Sequence, residues 1–128
     1  MTPELTYLVW AVVLLIAHIA LQATFTDLSK GILWSMGARD TPRDQSVIAG
    51  RIERALRNYL ETFVAFAALA LILKVTETST ETTALGAAVY FWARVAYVPA
   101  FVSGIPLARS LVWFVSIAGL LMMLAGLL

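Results

Sequence analysis

The sequence predicts an all-α integral membrane protein, in which a single domain forms a bundle of four transmembrane helices. Of its 128 residues, 61% are hydrophobic and only 13% are charged, whereas a soluble domain is about 45–50% apolar and about 25% charged. The apolar residues also form four stretches close to the roughly 20 residues that a helix needs to cross the hydrocarbon core. These four predicted spans are residues 5–23, 54–73, 84–102 and 107–128.

The first span is predicted to be a retained helix rather than a cleaved signal. The four residues before it include Glu4 but no basic residue, and the apolar stretch is longer than the core of a signal peptide. Tyr7 and Trp10 near its start suit the aromatic belt at a membrane surface. His18 and Gln22, four residues apart, either face a cavity or hydrogen-bond between packed helices.

The second helix is predicted to begin outside the membrane, after a long connection over residues 24–49. Thr41 is suited to the N-cap, Pro42 to the first helical position and Asp44 to the first turn. This pattern predicts a helix over residues 42–74, whose membrane part is 54–73.

A polar stripe marks the start of this second span. At about 100° per residue, Arg51, Arg54, Asn58 and Glu61 share one side of the helix, with Arg57 close beside Glu61. Ionisable groups below a membrane surface are costly and usually mark a functional site. The alternative is a shortened helix whose arginines extend to the headgroups, but Glu61 is the deepest and shortest of the charged residues and is hardest to explain in that way.

The third span carries a second set of polar and aromatic residues, and a tight turn over residues 103–106 leads to the fourth span. Spacings of four, three and four residues place the set on one helix face. In the fourth span, Gly119 and Gly126 are predicted to allow close helix approach. The residues on the face of the third span are Tyr90, Arg94, Tyr97 and Phe101.

The basic residues predict the orientation. On one side of the membrane, Lys74 is the only basic residue. The other side carries six basic residues, in the long loop and at the mouth of the second span, and also Arg109, at the connection between the third and fourth spans. The positive-inside rule therefore places the loop 24–49 in the cytoplasm and both termini on the opposite side.

Polar side chains from three spans are predicted to lie at one depth. At a rise of about 1.5 Å per residue, these side chains lie roughly 6–12 Å from the cytoplasmic ends of their helices. The coincidence indicates a polar chamber in the cytoplasmic half of the bundle, in which Glu61 and Arg94 could pair. A purely structural buried ion pair is the alternative. The residues at this depth are His18, Asn58, Glu61 and Arg94.

Several classes of chemistry are excluded by composition. The chain has no cysteine, which removes disulfides, thiolate metal sites and a cysteine nucleophile, and its one histidine cannot form a histidine-rich metal site. The chain has no glycine-rich phosphate loop, and its residues make no case for nucleic-acid binding. Its net charge of +1 says little about partners.

The predicted chamber suits a small ligand that is mostly anionic and carries one cation. Arginine binds carboxylates with a bidentate fork, and a glutamate would bind an ammonium group. A zwitterionic peptide with two carboxylates and one amine fits this pattern, and glutathione is one example. A phospholipid headgroup, or a quinone with an arginine partner, also fits.

The polar stripe resembles the signature of the MAPEG family, the membrane-associated proteins of eicosanoid and glutathione metabolism. The signature positions are Arg54, Ala55, Asn58 and Glu61, at the mouth of the second of four spans. The resemblance extends from about residue 39 onward and suggests a bacterial-type member in the inner membrane. Its further matching residues are Arg57, Val95, Ala96, Tyr97, Arg109 and Ser110.

The resemblance implies a homotrimer that binds glutathione between subunits and directs its thiolate at a lipophilic electrophile. Arg109 is then the candidate for stabilising the thiolate, with Ser110 beside it. No metal is implied. The residues expected to line or bind the glutathione site are Arg54, Arg57, Asn58, Glu61, Arg94 and Tyr97.

Two departures from the family pattern affect the predicted activity. Prostaglandin- and leukotriene-forming members have a tyrosine one turn after the arginine of the fourth span, where this chain has Trp113, and the approach from Ile105 to Arg109 differs in spacing. We therefore expect a glutathione-dependent membrane transferase or peroxidase, with a non-catalytic lipid-binding or accessory protein of the same fold as the alternative. A small multidrug transporter fits poorly, because the arginines would repel its cationic substrates.

Overall fold

The computed structural model describes all 128 residues and contains five helices and no strand. Four of the helices are long and apolar enough to cross a membrane, so the predicted multi-pass membrane bundle is confirmed. The short α2 lies in the long connection. The helices are α1 (Pro3–Lys30), α2 (Ile32–Met36), α3 (Val47–Val75), α4 (Glu81–Val102) and α5 (Pro106–Ala125).

The start of α3 differs from the sequence prediction. The helix begins at Val47 rather than at residue 42, and Ser46 is its N-cap, with its hydroxyl accepting a hydrogen bond from the Ala49 N–H at 3.1 Å. Residues 42–46 are not helical: the Trp34 indole donates to the Thr41 carbonyl at 2.6 Å and the Arg43 guanidinium donates to the Lys30 carbonyl at 2.9 Å, and these contacts hold the segment against α1 and α2. Thr41 therefore does not start the helix.

The first helix is also longer than predicted. It continues past residue 23 to Lys30 and ends at Gly31, whose φ of 96° only glycine adopts readily. The segment after α2 folds back on this end, because the Ser46 N–H donates to the Ser29 hydroxyl at 2.6 Å.

The two middle helices of the chain form the centre of the bundle. α3 and α4 contact each other, and each also contacts α1 and α5, whereas α1 and α5 do not contact one another. The ring of Phe66 stacks on that of Tyr90 at 4.4 Å, and the Thr62 and Tyr90 hydroxyls are 2.9 Å apart. The Tyr59 hydroxyl donates to the Ala11 carbonyl at 2.6 Å, which connects α3 to α1.

The α4–α5 hairpin is held by glycines, as the sequence predicts. A Cβ atom added at Gly119 would lie 2.6 Å from the Gly86 carbonyl oxygen, and one added at Gly126 would overlap the Thr83 methyl group. The two backbones therefore approach closely only because these positions have no side chain.

A buried carboxylate ties the start of α1 to the start of α4. Glu4 is fully buried and accepts hydrogen bonds from the Ser79 hydroxyl at 2.8 and 2.9 Å and from the Thr83 hydroxyl at 2.5 Å. Glu4 was predicted to precede the first helix, because the pattern of a single helix does not reveal which hydroxyls surround its first turn. We call these three residues the Glu4 clamp.

Candidate functional site

The first turns of α3 expose most of the predicted binding stripe. Arg54, Arg57 and Glu61 are exposed, whereas Asn58 is half-buried. The helical period explains this division, because the opposite face of α3 is buried against its neighbours through Ala55, Tyr59 and Thr62. We call the three exposed residues, Arg54, Arg57 and Glu61, the outer stripe.

The Glu61–Arg94 ion pair considered from depth is not formed. Glu61 lies on the exposed face of α3 and makes no ion pair, and the chain's single ion pair joins Arg57 to Glu53 at 3.6 Å. Polar groups of α3 and α4 do meet at the predicted depth, but depth does not determine the direction in which a side chain points. The partner of Arg94 is instead Asn58.

Arg94 lies inside the bundle with its guanidinium only partly satisfied. It is 1% exposed, and its Nη1 donates to Asn58 Oδ1 at 2.9 Å. Its charge lies 4.0 Å from the centre of the Tyr97 ring and 5.5 Å from that of Tyr59, which are favourable cation–π distances. Nε and Nη2 of Arg94 have no hydrogen-bond partner.

The remaining polar residues predicted at this depth are arranged differently. His18 is buried, with its ring 5.7 Å from that of Tyr59 and neither ring nitrogen hydrogen-bonded. Gln22 does not bond to His18 but donates to the Thr26 hydroxyl at 2.9 Å. The structure thus brings Asn58 together with Arg94, while His18 packs on an aromatic ring.

One cavity between α3, α4 and α5 brings four predicted site residues together. It has a volume of about 310 Å³, and we call it the Asn58 cavity. Arg109 and Ser110, from the first turn of α5, are exposed at its surface, and Tyr97 is buried in its wall. The lining residues are Asn58, Tyr97, Arg109, Ser110, Trp113 and Phe114.

A second, smaller cavity of about 170 Å³ adjoins it, because Arg109 lines both. The guanidinium groups of Arg54 and Arg109 lie 5.9 and 5.2 Å from the centre of the Phe101 ring. Three arginines and no acidic residue line this space, so it favours an anion. We call it the arginine cavity; its lining residues are Arg51, Arg54, Phe101, Gly104, Ile105, Pro106 and Arg109.

Five of the seven lining residues of the arginine cavity were not assigned to the site from the sequence, and Arg51 and Gly104 are the two whose contacts explain its shape. Arg51 was recognised as part of the polar stripe, and in the structure its Nη1 donates to the Val102 carbonyl at 3.0 Å. Gly104, at a φ of 77°, lies so close to this guanidinium that a Cβ atom would be 2.9 Å from it. The stripe itself was the signal for Arg51, whereas the role of Gly104 depends on the fold of the α4–α5 turn.

Arg57 and Glu61 line neither cavity. They are exposed on a helix that is apolar and long enough to cross a membrane. Charged groups facing hydrocarbon are costly, and they usually face protein or a water-filled space instead. No other part of the chain covers Arg57 or Glu61 on this face of α3.

Comparison with known proteins identifies the family. A search of curated proteins gave no significant match. The model of the MAPEG family matches residues 7–128, so the match covers the outer stripe, both cavities and nearly the whole chain. The resemblance stated from the sequence is confirmed, and the chain belongs to the MAPEG family.

Proposed function

We propose that this protein is a glutathione-dependent membrane transferase or peroxidase that acts on a lipophilic electrophile. The MAPEG family includes glutathione-dependent transferases and peroxidases, as well as non-catalytic members. The observation that carries the proposal is the convergence of Asn58, Tyr97, Arg109 and Ser110 on one cavity next to a second cavity lined by arginines.

The charges around the two cavities suit glutathione. Arg54 and Arg109 offer guanidinium groups to its carboxylates, since arginine binds carboxylates with two parallel hydrogen bonds. Glu61, on the outer stripe, offers the one carboxylate for its ammonium group. The adjoining cavities provide about 310 and 170 Å³, which leaves part of a tripeptide to extend along the exposed face of α3.

A homotrimer would complete this site. The outer stripe is exposed along the same helix that borders the Asn58 cavity. A neighbouring subunit packed against α3 would cover Arg57 and Glu61 and enclose glutathione between the two chains. The trimer is implied by the family resemblance, and the exposed charges support it because they are stable in a membrane only when covered.

The proposed chemistry assigns different roles to Arg109 and Ser110. Bound glutathione would supply a thiolate nucleophile, and a cation beside a thiol favours the thiolate form. Arg109 lines both cavities and is exposed, so it can reach a sulfur atom in the Asn58 cavity. Ser110 would donate a hydrogen bond to the same sulfur. In a transfer reaction, sulfur forms the new bond to carbon while the leaving group departs with its electron pair.

The lipophilic partner would approach through the membrane face of α5. Leu107, Leu111, Phe114 and Val115 on this helix are exposed large apolar residues, and Phe114 also lines the Asn58 cavity. An apolar electrophile dissolved in the bilayer would therefore reach the proposed thiolate without crossing the polar outer stripe.

The protein is a multi-pass integral membrane protein. We further propose, from the distribution of basic residues, that the long loop 24–49 and the mouth of the two cavities face the cytoplasm of a bacterial cell, with both termini across the inner membrane.

A non-catalytic, lipid-binding member of the same family is the second candidate. The observation that favours it is Trp113, which lines the Asn58 cavity where eicosanoid-forming members offer a tyrosine. In that case the arginine cavity would bind a lipid phosphate, and glutathione would not bind specifically.

Calorimetry with glutathione on the purified, detergent-solubilised protein tests the proposal. We expect binding that is lost in Glu61→Gln and in Arg57→Ala, with ophthalmate, which lacks the thiol, binding nearly as well as glutathione. Lys74→Ala is the matched control, because it removes an exposed positive charge at the far end of α3. No heat at millimolar glutathione from folded protein would reject the enzyme proposal in favour of the lipid-binding one.

A further inference from the structure

We propose that Arg94 is a positioning residue: from behind the wall of the Asn58 cavity, it orients the side-chain amide of Asn58 so that its NH2 group faces the ligand. The inference rests on the proposed function for the identity of the ligand. It assigns to Arg94 an action through Asn58 rather than direct contact with glutathione.

The hydrogen-bonding capacity of arginine determines which end of the amide faces it. A guanidinium has only donors, whereas an asparagine amide has an accepting oxygen and a donating NH2 group. Arg94 Nη1 lies 2.9 Å from Asn58 Oδ1, so the oxygen is engaged by the arginine. Asn58 is half-buried and lines the cavity, and the group left for a ligand is therefore the NH2 donor.

Rotating the amide would be costly at this position. It would turn the NH2 group towards the guanidinium, so that two donors faced each other. Arg94 already has two nitrogens, Nε and Nη2, without a partner, and rotation would remove its only hydrogen bond. An unsatisfied buried polar group costs about 1–3 kcal/mol, and a charged one costs more. The hydrogen bond that Arg94 donates thus fixes the orientation of the Asn58 amide.

Arg94 itself lies out of reach of a ligand in the cavity. It is 1% exposed and is not among the residues that line the Asn58 cavity. Its charge stacks at 4.0 Å on the ring of Tyr97, which does line the cavity. One buried cation therefore supports two neighbouring residues of the wall, Asn58 through a hydrogen bond and Tyr97 through a cation–π contact.

The fixed amide predicts which part of the ligand it meets. A donor selects an acceptor, so Asn58 would contact a carboxylate or a peptide carbonyl of glutathione and not its ammonium group. The ammonium group would be directed to Glu61, the one acidic residue of the outer stripe. Arg94 would in this way contribute to the direction in which the tripeptide lies in the site.

The chain offers a clean spectroscopic probe, because Asn58 is its only asparagine. Protein labelled with ¹⁵N at asparagine will give a single side-chain NH2 signal. We expect that signal to be displaced from the position of a free asparagine, to shift on addition of glutathione, and to move towards the free position in Arg94→Met. Tyr90→Phe is the matched control: it removes another buried hydrogen bond of α4, the one to Thr62, and should leave the signal in place.

A double-mutant cycle on glutathione affinity separates action through Asn58 from a general structural effect. We expect Arg94→Met and Asn58→Ala each to weaken binding about tenfold, the equivalent of one hydrogen bond to a ligand. The double variant should be no weaker than Asn58→Ala alone, since the two residues act as one unit. Additive losses would overturn the inference.

The two readouts also distinguish the inference from the function on which it rests. If glutathione neither binds nor shifts the wild-type signal, the proposed function fails. In that case, a shift of the signal in Arg94→Met would still support the inference that Arg94 fixes the orientation of the Asn58 amide. If Arg94→Met leaves the signal unchanged, the inference is overturned even in a protein that binds glutathione.

Discussion

The two ends of the bundle differ in how completely one chain satisfies its own buried polar groups. At the end that carries both termini, the carboxylate of the Glu4 clamp receives its hydrogen bonds from Ser79 and Thr83. Towards the end that carries the long loop, the buried Arg94 has one hydrogen bond and two unpaired nitrogens, and the outer stripe is exposed. The first end holds the chain together, while the second is suited to bind something outside it.

The position of the unpaired groups supports this division. The buried side-chain atoms that lack a partner belong to residues in the long connection or in the half of the bundle nearest to it, and none belongs to the Glu4 clamp. These residues are His18, Ser35, Gln45 and Arg94. Substitutions at the terminal end should therefore lower the stability of the fold and leave ligand binding unchanged. Substitutions at the loop end should weaken ligand binding and leave the stability unchanged.

The largest effect is expected where two backbones meet. In Gly119→Ala, the added Cβ would lie 2.6 Å from the Gly86 carbonyl oxygen and 2.7 Å from the Tyr90 nitrogen. Backbone atoms of packed helices cannot move aside easily, so we expect a loss of about 3 kcal/mol in the free energy of unfolding. Thermal unfolding followed by circular dichroism will measure it. Gly37→Ala, where the nearest atoms are 3.5 Å away, should change little, and equal unfolding temperatures for the two variants would contradict the prediction.

The next largest effect should appear at the loop end and in activity alone. Arg109→Met removes the cation that we propose to stabilise the thiolate, and losing one such group costs about a hundredfold in turnover. Because Arg109 is exposed and its side chain makes no hydrogen bond, only a cation–π contact with Phe101 at 5.2 Å, the unfolding temperature should change little. The measurements are conjugation of a lipophilic electrophile and the ultraviolet absorbance of bound thiolate. Full thiolate absorbance in the variant would exclude this role.

A smaller loss of stability is expected at the Glu4 clamp. Glu4→Ala removes the acceptor of the Ser79 hydroxyl and leaves the Thr83 hydroxyl only the Thr80 carbonyl at 3.0 Å, which should lower the free energy of unfolding by about 2 kcal/mol. Glutathione affinity should be unchanged, because the clamp is at the end opposite the cavities. Glu81→Ala, at an exposed acidic residue of the same end, is the control. A change in affinity without a change in stability would show that the two ends are coupled.

The smallest expected effect concerns the departure at Trp113. Trp113→Tyr supplies the phenolic hydroxyl that eicosanoid-forming relatives have, in a side chain that lines the Asn58 cavity. One added hydrogen bond to the ligand should raise turnover about threefold. Steady-state kinetics will measure it, with Trp113→Phe as the control that changes the ring without adding a hydroxyl. A loss of activity in both variants would indicate that the indole itself shapes the cavity.

Much of the fold could be predicted because it depends on local chemistry. Hydropathy and length predicted four spans, and the spacing of Tyr90, Arg94, Tyr97 and Phe101 predicted one face of α4, which is buried in the structure. The start of α3 could not be predicted in the same way. Thr41 has the side chain of a good N-cap, but contacts with Trp34 and Lys30 hold the segment that follows it in a non-helical connection, and Ser46 is the N-cap instead.

For the site, the residue pattern was enough to predict the family, the helix that carries the polar stripe and the residue types available for binding. The packing of the helices was needed to show that Asn58, rather than Glu61, is the partner of Arg94, and that Glu4 is buried beside two hydroxyls. The physical reason is that the helical period determines the angle of a side chain on its own helix. Which groups that side chain meets depends on how the helices are rotated and packed against each other, and the close approach at Gly86 and Gly119 is one of the contacts that determine this.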